Sequence, residues 1–228
     1  MKHSLAAAAA LAGILTIQPA FADTPAAAHS ATAWQGLFGG ANLGFGATDT
    51  TINQPGGGPT PFPIATDPDG ALPGIQFGYN HQSGRVLFGL VADMALNSLS
   101  GAANGRAFAP PTAFRTEYDR MATARGRIGF LAGETTLIYG HGGLAFAEIS
   151  HTEVGGAGPF AGVSSSDEEF GYVIGAGLEV MTGDNISLFA EYSFTEFDTP
   201  SPIPTAFGPL FPDTEPLHVV KFGVNYHF

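Results

Sequence analysis

The most regular feature of the chain is an alternation of large apolar with small or polar residues, recurring in segments separated by glycine- and proline-rich stretches. Side chains on a strand point to opposite faces in turn, so each segment splits into two sets. Along 34–47, Leu37, Gly39, Ala41, Leu43 and Phe45 oppose Gly36, Phe38, Gly40, Asn42 and Gly44. Further on, Ala124, Gly126, Ile128 and Phe130 oppose Thr123, Arg125, Arg127 and Gly129, and Tyr172, Ile174, Ala176, Leu178 and Val180 oppose Val173, Gly175, Gly177 and Glu179. The last segment sets Val220, Phe222, Val224, Tyr226 and Phe228 against Val219, Lys221, Gly223, Asn225 and His227. One face is apolar throughout, and the other is mainly glycine and neutral polar residues.

The connections alternate in length. Long ones run over 48–70, 97–114, 150–168 and 196–216, while short turns fall at Gln82-Ser83-Gly84, Ala132-Gly133-Glu134 and Gly183-Asp184-Asn185. Four long and three short connections join eight strands. The pattern predicts an all-β fold: an eight-stranded antiparallel transmembrane barrel with four long extracellular loops and three short periplasmic turns. A soluble sandwich also alternates, but its polar face meets water. Here the second face is too small and too sparsely charged for that, whereas the narrow lumen of a closed eight-stranded barrel accommodates it. The aromatics agree. Tyr79, Phe130, Tyr226 and Phe228 fall near one edge of the apolar band, and Phe45, Phe146, Tyr172, Tyr192 and Phe194 near the other, as two membrane girdles would.

Composition narrows the class further. Gly 32 and Pro 17 accompany only 12% charged but 11% aromatic residues, and a disordered chain would be poor in aromatics. The glycines therefore belong to a fold. Met1 to His3, the apolar run Ser4 to Ile17 and Ala20-Phe21-Ala22 compose a secretory signal peptide. The run is shorter than the ~20 residues a spanning helix needs. The expected organisation is a signal peptide over 1–22, a flexible periplasmic linker over 23–33 and an outer-membrane β-barrel over 34–228, placed in the outer membrane of a bacterial cell. A formal charge of -12 argues against nucleic-acid partners, and the absence of cysteine removes disulfides and thiolate sites.

The charged residues within strands are Asp93, Arg125, Arg127, Glu179, Glu191 and Lys221, and all fall in the non-lipid set. Three acids balance three bases, as pairing within a confined lumen requires. They are expected to form one charged layer, with two uses open: a permanently packed core, or a gate whose pairs exchange partners. No catalytic residue, cofactor or metal ligand set is expected, because HExxH and phosphate-binding loops are absent. The histidines are scattered, and only His141, inward beside Tyr139, stands out. Acids dominate the first, third and fourth long connections, whereas the region of the second and the residues just after it holds Arg106, Arg115 and Arg120 near Glu117 and Asp119.

Trp34-Gln-Gly-Leu-Phe-Gly-Gly-Ala-Asn-Leu-Gly-Phe-Gly46, Gln76-Phe-Gly-Tyr-Asn80, Phe88-Gly-Leu-Val-Ala-Asp93, Ala124-Arg-Gly-Arg-Ile-Gly-Phe130, Gly175-Ala-Gly-Leu-Glu179 and Val224-Asn-Tyr-His-Phe228 resemble the small outer-membrane β-barrel family. Its members are termed porin-family or outer-membrane immunogenic proteins, related to opacity proteins and the OmpA transmembrane domain. The resemblance implies a structural surface protein supporting envelope integrity, with a narrow porin-like diffusion channel as the alternative. A lipid-modifying barrel enzyme and a ligand-binding surface receptor are more distant readings. Implied partners are outer-membrane lipid and lipopolysaccharide, the barrel-assembly machinery, and a host or surface ligand at the loops. Phe228 and Tyr226 match the C-terminal aromatic signal for assembly. Val91 departs from the family pattern, which carries an acid before Ala92-Asp93.

Overall fold

Strands whose two faces differ this sharply satisfy their backbone groups in lipid only by closing on themselves. In the computed structural model, which describes residues 33–54, 63–96, 99–105, 112–153, 162–198, 201–206 and 208–228, they do so. The barrel strands are β1 (Gly36–Ala47), β4 (Asp69–Ser83), β5 (Val86–Ala95), β7 (Thr112–Ala132), β8 (Thr136–Glu153), β9 (Ser164–Met181), β10 (Ile186–Phe197) and β12 (Leu217–His227). Each pairs antiparallel with its neighbours in chain order, and β1 pairs with both β12 and β4, so the ring has no free edge. The leader expected over 1–22 and all but Ala33 of the 23–33 segment lie outside the described residues.

The expected faces hold along every barrel strand. Leu37, Phe77, Leu90, Ile128, Leu144 and Ile174 are exposed, while Gln76, Asn80, Arg125, Arg127, Glu179 and Glu191 are buried. On β7 the outward positions from Ala122 to Phe130 span nine residues, or about 23 Å across a membrane at the usual strand rise and tilt. Above Phe146 and Phe170 the outward positions become Glu148, Glu168 and Arg120, which marks the upper limit of the lipid band. A bulge between Tyr118 and Arg120 sits at that limit and keeps Tyr118 and Met121 on the inner side of the wall. The upper parts of β7, β8 and β9 therefore rise above the membrane.

The glycines of the two faces differ in what surrounds them. A Cβ on inward Gly143 would lie 2.1 Å from the Ala124 carbonyl oxygen, so the wall closes there only without a side chain. Outward Gly126 has nothing nearer than 3.9 Å.

The long connections carry more structure than their sequence suggests. β2 (Thr50–Asn53), β3 (Ile64–Thr66) and β11 (Phe211–Thr214) form a small separate sheet at the loop end, and β6 (Leu99–Gly105) extends the β7 edge. Alternations of three or four residues are too short to distinguish from loop by periodicity. Trp34, expected to open the first strand, instead lies in a turn with its ring in the lumen, 1% exposed.

The interior is filled in layers. At the turn end Trp34 packs with Leu87, Leu131, Leu137, Tyr139 and Met181, and its indole Nε1 donates to the Glu134 carbonyl at 3.2 Å. Toward the loop end Leu72, Leu99, Tyr118, Ile149, Leu217 and Val219 form a second apolar layer. Above it Ile52, Ile64, Phe114, Ile203 and Leu210 join the small sheet to the wall. Between the first two layers lies the polar middle of the lumen.

Candidate functional site: the charged layer of the lumen

The six charges singled out in the sequence are brought together, in two tiers rather than one. In the lower tier Arg127 Nη1 donates to Glu179 Oε2 at 2.9 Å across the lumen. Its Nε and Nη2 donate to Asn80 Oδ1 at 3.0 and 2.9 Å, and its guanidinium stacks over Phe38 and Tyr139, 4.5 and 5.2 Å from the ring centroids. Glu179, fully buried, also accepts from Ser187 at 2.5 Å and Asn225 at 2.7 Å. Gln76 donates to Asn225 Oδ1 at 2.7 Å, and His227 Nε2 lies 3.5 Å from Glu179. An ion removed from water costs several kcal/mol unless its remaining bonding capacity is met. Here the neutral side chains meet it.

The upper tier is built around Arg125, which bridges Asp93 at 2.6 Å and Glu191 at 2.5 Å. Asp93 also accepts from Thr123 at 2.7 Å and from Lys221 at 3.2 Å. Glu191 accepts from the Tyr139 hydroxyl at 3.1 Å. Lys221 stands directly opposite Glu191 in the β10–β12 register, yet its ammonium reaches to Asp93. Strand adjacency thus gives the Asp93–Arg125 pairing, while Arg125–Glu191 and Arg127–Glu179 form through the lumen. Val91 is buried beside Arg125 in the β5–β7 register, at the position where the family pattern has an acid.

Several further polar members of the network were not singled out in the sequence as a set: Gln76, Asn80, Ser187, Asn225 and His227. Each does lie on the inward set of its strand, and that parity is the signal by which they could have been found. His141 sits among them, 3.6 Å from Glu191. Tyr226 and Phe228 are elsewhere, on the outer surface at the turn end, with ring centroids 5.2 Å apart. Among the described residues no group of three or more histidines, cysteines or acids is placed to hold a metal ion.

Comparison with known proteins gives a consistent picture. A family model described as outer membrane protein beta-barrel domain matches residues 7–228. The 31 kDa outer-membrane immunogenic protein of Brucella melitensis is 29% identical over 161 residues, covering 70% of this chain and 67% of the relative. The 22 kDa outer membrane protein of Rhizobium leguminosarum bv. viciae is 27% identical over 54% of this chain and 50% of its own. Among solved structures, the outer membrane protein OprG from Pseudomonas aeruginosa aligns with a TM-score of 0.49 at 14% identity, over 85% of this chain and 97% of that one.

Arg125 holds two acids at once, so Arg125→Met leaves Asp93 and Glu191 buried with one partner fewer each. Reversible urea unfolding in detergent micelles is expected to show a loss of about 3–5 kcal/mol for R125M. Lys221→Met, which removes one of three partners of Asp93, is expected to cost less than half as much.

Proposed function

The chain belongs to the outer membrane protein beta-barrel family and resides in the bacterial outer membrane; from that premise we propose that it is a closed, non-enzymatic structural barrel that supports the envelope and presents a folded surface at its loop end. The filled lumen supports this reading. A solute would have to pass the Trp34 layer, two tiers of interlocked charges and the Leu72–Tyr118 layer. Each is side chain packed on side chain across a bore that eight strands keep narrow.

A narrow diffusion channel is the second reading, and one observation favours it. An internal cavity of about 50 Å³ lies against Asn42, Asp93, Arg125, Ser193 and Lys221, with room for one or two waters. Exchange of Lys221 between Asp93 and Glu191 would be the gating move.

The surfaces suggest partners. Acyl chains of outer-membrane lipid cover the apolar band, and Arg115 and Arg120 are the described bases placed to meet lipopolysaccharide phosphates. Both already have acidic partners, Glu117 at 3.1 Å and Glu148 at 3.5 Å, so such contact would be a partner exchange. The loop end, proposed to face outside the cell, is otherwise acidic and suited to surface ligands of positive charge. At the opposite end Phe228, 76% exposed, with Tyr226 beside it, is proposed as the signal read by the barrel-assembly machinery.

Pure folded protein in planar lipid bilayers is expected to give no reproducible single-channel steps; steps abolished by Lys221→Met would establish the channel instead. Deletion of Phe228 is expected to lower the amount assembled in the outer membrane several-fold with synthesis unchanged, as measured by membrane fractionation with and without boiling of the sample. Unaltered assembly would remove that role.

A further inference from the structure

The small loop-end sheet is tied to the barrel wall by a buried chain of hydroxyls that ends on an imidazole. His151 Nδ1 lies 3.0 Å from Thr116 Oγ1, Thr116 Oγ1 lies 3.0 Å from Thr66 Oγ1, and Thr66 Oγ1 donates to the Thr50 carbonyl at 3.5 Å. These residues come from β8, β7, β3 and β2, so the chain runs from the wall into the sheet. All four are buried, His151 at 2% exposure.

One direction lets each group donate once and ends on a carbonyl: Nδ1–H to Thr116, Thr116 to Thr66, Thr66 to Thr50. That direction assigns the proton to Nδ1 and leaves Nε2 bare. Among the described residues Nε2 has no hydrogen-bond partner. A bare lone pair in that position costs less than an unpaired N–H carrying a positive charge.

The groups facing His151 are few. β9 presents Ser165 directly opposite and Asp167 opposite Ile149. β7 presents Phe114, Thr116 and Tyr118, β3 and β2 present Thr66 and Thr50, and β8 itself carries Glu153 two residues on. Burial outweighs the attraction of Asp167 and holds the imidazole down at about 4. This part of β8 stands above the lipid band, where water and its protons have access once the sheet moves.

We propose that His151 is an acid-sensitive latch: taking up a proton at Nε2 puts an uncompensated charge at the buried end of the hydroxyl chain and favours release of the β2–β3–β11 sheet from the mouth of a barrel that itself stays folded. A charged His151 has two outcomes within reach. It remains in place with a buried, unpaired N–H, or it turns toward Asp167 and withdraws Nδ1 from Thr116. Either way the attachment weakens.

The direction follows from linkage. With the sheet released, His151 is hydrated and titrates near 6.5; with the sheet attached, it titrates near 4. The released form binds the extra proton between those values, so attachment is at full strength above about pH 6.5 and weakens as pH falls toward 4. At pH 4.5 release is favoured on the order of 50-fold more than at pH 7.5.

The test is hydrogen exchange of the folded full-length protein in detergent micelles at pH 7.5 and 4.5, corrected for intrinsic exchange rates. Protection of segments 50–53 and 211–214 is expected to fall roughly 10- to 100-fold at pH 4.5. Amides of β5 and β10 stay protected, and emission of the single Trp34 at the opposite end stays unchanged. His151→Gln keeps an amide donor for Thr116 and has no proton to gain, so it retains its protection at pH 4.5. Should H151Q already lose the sheet at pH 7.5, the wild-type ring decides the matter: loss of protection over 50–53 coincides with protonation of His151, read from its ring-proton NMR shifts. Wild-type protection that is unaffected by acid overturns the latch. So does an equal loss in a folded H151Q, or, where H151Q has lost the sheet, a loss of protection that does not coincide with protonation of His151.

Discussion

Six full charges enclosed by only eight strands impose the condition on which the rest of this structure depends: every ion in the lumen must find a partner there. Water has little room to solvate them, and the lipid outside offers nothing. Asp93, Glu179 and Glu191 are matched by Arg125, Arg127 and Lys221, and the ion pairs tie β5, β7, β9, β10 and β12 together through the interior. The neutral groups are part of the same solution. Glu179 has more bonding capacity than one guanidinium can fill, and Ser187 and Asn225 take up the remainder. Glycine on the inward face follows from the same crowding, because the large ions and rings of one strand occupy the space that a side chain on the next would need. The Tyr139 ring would meet a Cβ on Gly177 at 2.5 Å.

The polar middle lies between two apolar layers, one above and one below the tiers. The less water such layers admit, the stronger each pairing and the higher the cost of any charge left single. The net negative charge of the molecule then resides mostly outside the lumen, on the loop end, where water screens it. The loop-end sheet is joined partly by hydroxyls, whose bonds depend on the protonation of one histidine. A wall held by closed backbone pairing and a cap held by an apolar cluster and a short polar chain have different sensitivities to their surroundings.

Much of this was legible in the sequence, because a strand in a barrel has only two environments. The alternation identified the lipid face from Leu37 to Phe228, and the same parity put all six lumen charges on the inner face. Which ion meets which was not legible, since the through-lumen pairs depend on strand tilt and side-chain reach. Lys221 illustrates the point: its neighbour in register is Glu191, and its partner is Asp93. Trp34 read as the first residue of a strand and is a plug. Asn80, Ser187 and His227 were visible only as inward polar residues, and their bonds to Arg127 and Glu179 emerge with the closed ring. The sheet at the loop end was hidden by the brevity of its strands, and the bulge beside Asp119 by the absence of any glycine or proline to mark it.

A double-mutant cycle on Arg127 and Glu179 tests the central claim most directly, because the pair spans the lumen and joins strands that are not neighbours. Unfolding free energies of the wild type, Arg127→Met, Glu179→Gln and the double variant would be measured in micelles, with the folded ring verified by migration of unboiled samples. The account predicts strongly destabilised single variants, a double variant less destabilised than their sum, and a coupling of at least about 1.5 kcal/mol. A coupling near zero, with each single change costing little, would contradict it.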